Sequence, residues 1–440
     1  IIVAFCFGGL LEALAGFGAP VAITGVMLVA VGFTAMRAAV VVLVANTAPV
    51  AFGAIAIPII TAGTLTGIDY QDIGAMVGHQ TPFLAAVVPL FLVLLVDGRR
   101  GLKQIWPLAL VVGIAFGLAQ YVSATFLSVE LTDIIASLVG LSAVVIMLRF
   151  WKPKGGQDAL DRMADEREHE GADAPDAGGA SAAVATDVKK ETAPLTGSRV
   201  FLALFPYLLV IVIFSVAKLV PVINNWLAST DVKIPWPGLD GNILNAAGEV
   251  STSTVYNFQW LSSPGTLLLI SGIIVAIVYK MSAKDAVDVF IVNVVKMKFS
   301  ILTVGSVLAL AYVMNLSGQT ITIGTWIAGT GAFFAFLSPI LGWLGTAVTG
   351  SDTSANALFA TLQQTAAHEA GLNPLLLVGA NSSGGVLGKM VSPQNLTIAA
   401  TAVGLLGKEA SILRRVIGWS LGMLVAMCLL VGLQSTVLSW

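Results

Sequence analysis

Long apolar runs, interrupted by short polar or charged clusters, dominate the chain. A helix of about 20 mostly apolar residues spans a bilayer. On that criterion the pattern predicts about twelve transmembrane segments, at roughly 1–35, 38–63, 76–96, 104–126, 131–150, 199–219, 263–280, 299–316, 322–345, 353–370, 374–405 and 414–437. None of these runs shows the residue-by-residue alternation of a membrane β-barrel strand. The predicted fold class is therefore an all-α polytopic membrane protein.

Lys and Arg set the orientation of such a chain. Basic clusters follow the first segment (Arg37), the third (Arg99, Arg100, Lys103), the fifth (Arg149, Lys152, Lys154), the seventh (Lys280, Lys284, Lys296, Lys298) and the eleventh (Lys408, Arg414, Arg415). All five mark ends of odd-numbered segments, which places those connections in the cytoplasm and Trp440 outside. The opposite connections are acidic, with Asp69, Asp72, Glu130 and Asp133.

Composition sharpens this picture. Hydrophobic residues make up 57% of the 440 and charged residues 10%, against roughly 25% charged in a soluble domain. Of the 22 basic and 24 acidic residues, 16 fall within 151–197. That Ala/Gly-rich acidic stretch has too little apolar surface to offset its ordering entropy. It reads as a disordered cytoplasmic loop between two transmembrane regions, 1–150 and 198–440. Segment 220–262 reads as an outside loop whose Trp226, Trp236 and Trp260 favour the membrane interface. Net charge of −2 offers no nucleic-acid surface, and Cys6 and Cys428 form neither a disulfide framework nor a metal cluster. No cofactor motif is present. Ile1 lies inside an apolar run with no preceding Met or basic region, which reads as a chain truncated within or before its first segment.

Four stretches are wrong for continuous helix: Gly16-Phe17-Gly18-Ala19-Pro20, Asn46-Thr47-Ala48-Pro49, Gly350-Ser351-Asp352-Thr353-Ser354 and Asn381-Ser382-Ser383-Gly384-Gly385. Pro removes a backbone donor and Gly destabilises a helix interior. In hydrocarbon the freed backbone must find partners or line a wet cavity. The breaks pair with matched spacing: Gly18 to Asn46 is 28 residues and Asp352 to Asn381 is 29, with a Gly seven residues after each Asn. By the predicted orientation, segments 38–63 and 374–405 run in opposite directions. Inverted-topology repeats with broken helices characterise secondary transporters.

Three charges lie beside the breaks and away from predicted segment ends: Glu12, Asp352 and Lys389. An ionisable residue inside the membrane is a functional candidate. Free N–H groups at a broken helix start bind carboxylates, and Thr47, Thr353, Ser354, Ser382 and Ser383 add hydroxyl donors. One buried cation suits a small monovalent anion better than a polyanion. Either Asp352 or Glu12 could carry a proton. Two structural alternatives stand beside this: Lys389 pairing with Asp352 to hold the fold, and Glu12 capping broken backbone. His79, within an apolar segment, reads as a neutral hydrogen-bonded residue.

Glu12 to Thr24, Asn46 to Ala54, Gly342-Trp343-Leu344-Gly345, Thr349 to Phe359 and Gly388-Lys389-Met390-Val391-Ser392-Pro393-Gln394 resemble the motifs of the L-lactate permease family, which includes glycolate permeases. The resemblance runs along the whole chain except 151–197. It implies a bacterial or archaeal inner-membrane symporter that takes up 2-hydroxymonocarboxylates with protons. Combined with the residue reading, it nominates Lys389, Gly18, Asn46, Thr47, Thr353, Ser354, Asn381, Ser382, Ser383 and Gln394 for substrate, and Asp352 and then Glu12 for the proton. A sodium-coupled carboxylate transporter is the rival, since unwound carbonyls and Asn, Ser and Thr oxygens also hold Na⁺. An enzyme would want a nucleophile–His pair or a motif such as HExxH, and neither occurs.

Overall fold

The structure is a computed structural model that describes residues 1–16, 18–153, 162, 196–243 and 254–437. The chain divides into two compact units, Ile1–Glu191 with Gly324–Trp440, and Thr192–Ile323. The expected loop 151–197 falls almost wholly outside the described residues.

In the first unit a π turn over Ile2–Phe7 leads into α1 (Gly8–Ala15), and α2 (Ala19–Val31) follows. Gly18 precedes α2 at φ 81°, a left-handed backbone that favours glycine, and Pro20 sits in its first turn. The hydroxyl of Thr34 caps α3 (Ala35–Ala45), accepting from the Arg37 amide at 3.4 Å. Every residue from Ala38 to Ala45 is buried, as expected of a helix stretch that is apolar all round. The backbone is irregular from Asn46 to Gly53, and after a single 3₁₀ turn α4 (Ile57–Thr66) begins.

Next come α5 (Tyr70–Gly78), α6 (Thr81–Val122) and α7 (Thr132–Phe150). At about 1.5 Å per residue, α6 would be roughly twice the ~30 Å thickness of the hydrocarbon layer if straight. It kinks at Asp97 and Gly98, where Gly98 takes φ 61°. A Cβ at Gly113 would sit 2.0 Å from the Ala86 carbonyl oxygen, so the two arms fold back against each other. They correspond to the expected segments 76–96 and 104–126, with Arg99 and Arg100 exposed at the bend.

The second unit contains α8 (Gly197–Leu219), α9 (Pro221–Ser229), a two-stranded antiparallel hairpin of β1 (Val232–Pro235) and β2 (Val255–Phe258), α10 (Pro264–Val278) and α11 (Ala283–Leu316). Trp226, Trp236 and Trp260 are exposed there. The segment expected at 299–316 is the second half of α11. Through α12 (Gln319–Ala328) the chain passes back to the first unit.

There α13 (Phe334–Thr349) ends at Gly350, and α14 (Asp352–Ala370) restarts under Ser351, whose hydroxyl accepts from the Ser354 amide at 3.3 Å. Then α15 (Pro374–Lys389) gives way at Met390–Ser392 to α16 (Pro393–Ala402), and α17 (Glu409–Thr436) closes the unit. One expected break is corrected here. Asn381–Gly385 is continuous helix within α15, and the break comes just before Pro393. The small residues serve close approach: a Cβ at Gly384 would lie 2.0 Å from the Pro339 carbonyl oxygen, and one at Gly388 2.2 Å from that of Trp343. Small residues let membrane helices pack backbone to backbone, and α15 rides on α13 in that way.

Among the described residues five helices are long and apolar enough to cross a membrane, or six if the bent pair Ile301–Leu316 and Gln319–Ala328 is one span. Shorter apolar helices are Ile2–Ala15, Ala19–Val31, Ala35–Ala45 and Ala54–Thr66 in the first unit and Pro264–Val278 in the second. Phe83, Leu118, Phe150 and Val348 are exposed large hydrophobics on these helices, as an integral membrane protein requires on its lipid face.

Candidate functional site

Local sequence explains why the breaks meet. In each broken pair the second helix begins with a conformational signal: Gly18 before α2, Pro58 in α4, Gly350 before α14 and Pro393 in α16. All four helix starts open on one cleft that is partly open to solvent. It is lined by Gly18 of the α2 start, Ile57 and Pro58 of α4, Gly350, Ser351, Asp352 and Thr353 of α14, and Gln394 and Asn395 of α16. Glu12 from α1 and Lys389 from the end of α15 also line it. Each helix start carries about half a positive charge from its aligned peptide dipoles. Four of them and one lysine share the cleft with two carboxyl groups, those of Glu12 and Asp352.

The charges pair inside this cleft. Lys389 Nζ donates to Glu12 Oε1 at 2.7 Å, and the two residues are 8% and 2% exposed. Asn46 Nδ2 donates to the other Glu12 oxygen at 3.0 Å. Lys389 therefore pairs with Glu12, and the alternative of a direct Lys389–Asp352 ion pair is not what forms. Asp352 is held by neutral donors: Ser382 Oγ at 2.7 Å to Oδ2 and Thr346 Oγ1 at 3.4 Å to Oδ1.

The backbone leading into α4 is unusual. Ile55 (φ 50°) and Ala56 (φ 58°) both adopt left-handed geometry. A β-branched residue in that region is an outlier held by its surroundings, and such strain gathers at functional sites. Ala54 and Ile57, on either side, line the cleft.

The other nominated residues divide into three groups. Gly18, Thr353 and Gln394 line the cleft. Asn46 and Thr47 line a smaller hollow against Lys389, and the Thr47 hydroxyl donates to its own turn at Val44 O, 2.7 Å away. Ser382, Asn381, Ser383 and Ser354 lie behind the cleft wall. Ser382 also accepts from Asn356 Nδ2 at 3.1 Å. Asn381 is fully engaged: its amide donates to Asn356 Oδ1 at 2.9 Å and to Ala355 O at 3.3 Å, and its oxygen accepts from Gln363 at 3.2 Å. Ser383 donates to Gln80 Oε1 at 2.6 Å. Ser354 Oγ is buried with no hydrogen-bond partner among the described residues. Since Ser382 sits mid-helix, the expected helix start there is absent, and the N-terminus at Thr353 remains.

Sequence reasoning missed other residues. Asn395 lines the cleft and donates to Gly350 O at 3.1 Å and Ser392 Oγ at 2.8 Å, which ties the α14 start to the α16 start. Glu130 and Asp133, read as outside-loop charges, are buried. Glu130 accepts from Tyr70 OH at 2.9 Å and from Ser128 Oγ at 2.8 Å. Asp133, on the first turn of α7, accepts from Gln120 Nε2 at 2.9 Å, and that amide also donates to Ala48 O at 3.0 Å. His79 ends α5 with its Nδ1 2.7 Å from Ala75 O and its ring edge-on to Tyr121. No group of three or more His, Cys, Asp or Glu suited to a metal occurs among the described residues.

Comparison with known proteins bears on the same residues. A sequence model of the L-lactate permease family matches residues 1–438. The chain is 42% identical to an L-lactate permease of Bacillus subtilis, over all of this chain and 78% of that protein. An L-lactate permease of Escherichia coli K12 is 40% identical over the same shares. A glycolate permease of Escherichia coli K12 is 40% identical over 96% of this chain and 75% of its own length. No solved structure matches.

Proposed function

The chain belongs to the L-lactate permease family, and on that premise we propose that it takes up L-lactate, glycolate or a related 2-hydroxymonocarboxylate in symport with protons across a bacterial cytoplasmic membrane. The observation that carries this reading is the cleft: four helix starts and Lys389 converge on one space that a small anion fits. Lys389 and the free N–H groups at Thr353 and Gly18 would hold the carboxylate. Gln394 and the Asn46–Thr47 turn would face the hydroxyl, and Ser382 with Asn381 would hold the wall that carries Asp352. Asp352 and Glu12 are the carboxyls positioned to carry the proton. We further read α1–α4 and α13–α16 as two repeats of inverted topology, moving against each other around the cleft. Residues 1–150 and 198–440 would carry the two transmembrane regions, with 151–197 on the cytoplasmic side.

The test is counterflow and uptake in proteoliposomes with lactate, glycolate, pyruvate and succinate, with pH and Na⁺ gradients imposed separately. Lactate and glycolate are expected to accumulate under a pH gradient alone. Accumulation driven by Na⁺ at equal pH would replace the proton with sodium. Lys389→Ala removes a charge-assisted hydrogen bond of about 1.5–3 kcal/mol, so uptake should fall by at least about tenfold. Wild-type uptake in that variant would sink the anion site.

A further inference from the structure

We propose that in the empty transporter Glu12 occupies Lys389 in place of the substrate's carboxylate, and that a proton taken up by Glu12 hands the lysine over to the substrate. The inference rests on reading the cleft as the monocarboxylate site. It starts from the pair itself, since Glu12 Oε1 lies 2.7 Å from Lys389 Nζ on the cleft wall, where an incoming carboxylate would have to bind. A second carboxylate cannot share one buried ammonium without leaving a net negative charge in a low-dielectric site.

The exchange balances. Lys389-NH₃⁺ paired with Glu12-COO⁻, plus H⁺ and R-COO⁻, gives Lys389-NH₃⁺ paired with R-COO⁻ and neutral Glu12-COOH. The proton goes to Oε1, the oxygen released by the lysine, while Oε2 continues to accept from Asn46 Nδ2 at 3.0 Å. The pair and its ligands carry no net charge before or after. Either half-loaded form carries one: positive if the proton enters alone, negative if the anion does. Those forms are disfavoured in a membrane interior, so proton and anion must enter together. Coupling then follows from the competition between two carboxylates for one lysine.

Other charged groups face Glu12 and are accounted for. Asp133 reaches it electrostatically from α7 and is held by Gln120 from α6. Asp352 lines the same cleft from α14, held by Ser382 and Thr346. Lys389 is the one cation among the residues that line the cleft, so a proton on Asp352 or Asp133 would not free it.

The test measures lactate affinity against pH for the full chain, wild type and Glu12→Gln, with radiolabelled lactate. Linkage to one proton makes the wild-type Kd rise about tenfold per pH unit on the alkaline side. Glu12→Gln keeps the Asn46 contact and removes the competitor. Its Kd should stay flat with pH at the tight, acid-side value, and concentrative uptake should be lost. A Glu12→Gln Kd that climbs as steeply as wild type overturns the proposal, as does loss of binding at every pH in folded protein. Should that variant not fold, wild type alone decides: lactate binding in weakly buffered solution must take up about one proton per anion, and no uptake refutes the exchange. If wild type binds no monocarboxylate at all, the reading of the cleft itself has failed.

Discussion

At the scale of single residues, the low charge of the apolar runs made three side chains legible. Glu12, Asp352 and Lys389 stood out because orientation and solubility gave them no purpose, and the structure brings all three to one cleft. Their pairing was not legible, because it depends on which of two acids lies nearer Lys389 across 377 or 37 residues of chain. Asp133 and Glu130 were misread for a related reason. They sit at the boundary of a segment, where sequence cannot tell a loop from the first buried turn of a helix. Asp352 carries a test of its own surroundings. A Cβ at Gly385 would lie 1.9 Å from Asp352 Oδ1 and 2.8 Å from Thr346 Oγ1. Gly385→Ala should push the carboxyl away from Ser382 and Thr346, overpacking the site by about 1–3 kcal/mol. We expect uptake to drop at least about tenfold, the equivalent of 1.4 kcal/mol, while folded protein is still recovered. Unchanged lactate uptake kinetics would show that Asp352 needs no fixed position.

At the scale of elements, the interruptions at Gly16–Pro20, Asn46–Pro49 and Gly350–Ser354 fall where the sequence places them, two with proline and one with glycine but no proline, and only the one at Asn381–Gly385 does not form. Pro20, Pro49 and Pro58 lie in or beside two of the interruptions, and Pro393 opens α16. Asn381-Ser382-Ser383-Gly384-Gly385 carries glycine alone, and glycine signals either a broken helix or a close neighbour. Only the partner helix decides, and here α13 decides for contact. This yields a paired prediction. Gly384→Val must force α15 and α13 apart, because even its Cβ would meet the Pro339 carbonyl oxygen at 2.0 Å. Thermal unfolding in detergent should show a loss of about 1–3 kcal/mol or more. Gly272 in α10 has nothing within 4 Å of an added Cβ, so Gly272→Ala should be neutral, or stabilising by up to about 1 kcal/mol. Equal effects of the two substitutions would contradict the packing account of the α15 glycines.

At the scale of the whole molecule, counting apolar runs overstates continuous spans because a run records composition and not straightness. Among the described residues the chain shows five helices able to cross, or six if one bent pair counts as a span, and other apolar runs are short helices, of which α2 and α4 start at the cleft. That organisation places helix starts inside the fold, where their dipoles act at low dielectric, and it limits which substrate fits. The four helix starts offer partial charges distributed around the cleft, whereas Lys389 offers the single full positive charge among its lining residues. Glu12 and Asp352 line the same space. A monocarboxylate can replace Glu12 on the lysine once Glu12 is protonated, which leaves the net charge of the site unchanged. A dicarboxylate brings a second negative charge into a cleft that already holds two acids, with no cation left for it. An unpaired buried charge is disfavoured by several kcal/mol, which predicts discrimination of at least about a hundredfold, or 2.7 kcal/mol. Competition for labelled lactate in counterflow should therefore rank glycolate and lactate together, with succinate at least about two orders of magnitude weaker. Succinate competing within a fewfold of lactate would mean that a second cation reaches the substrate, and the single-lysine account of selectivity would have to be abandoned.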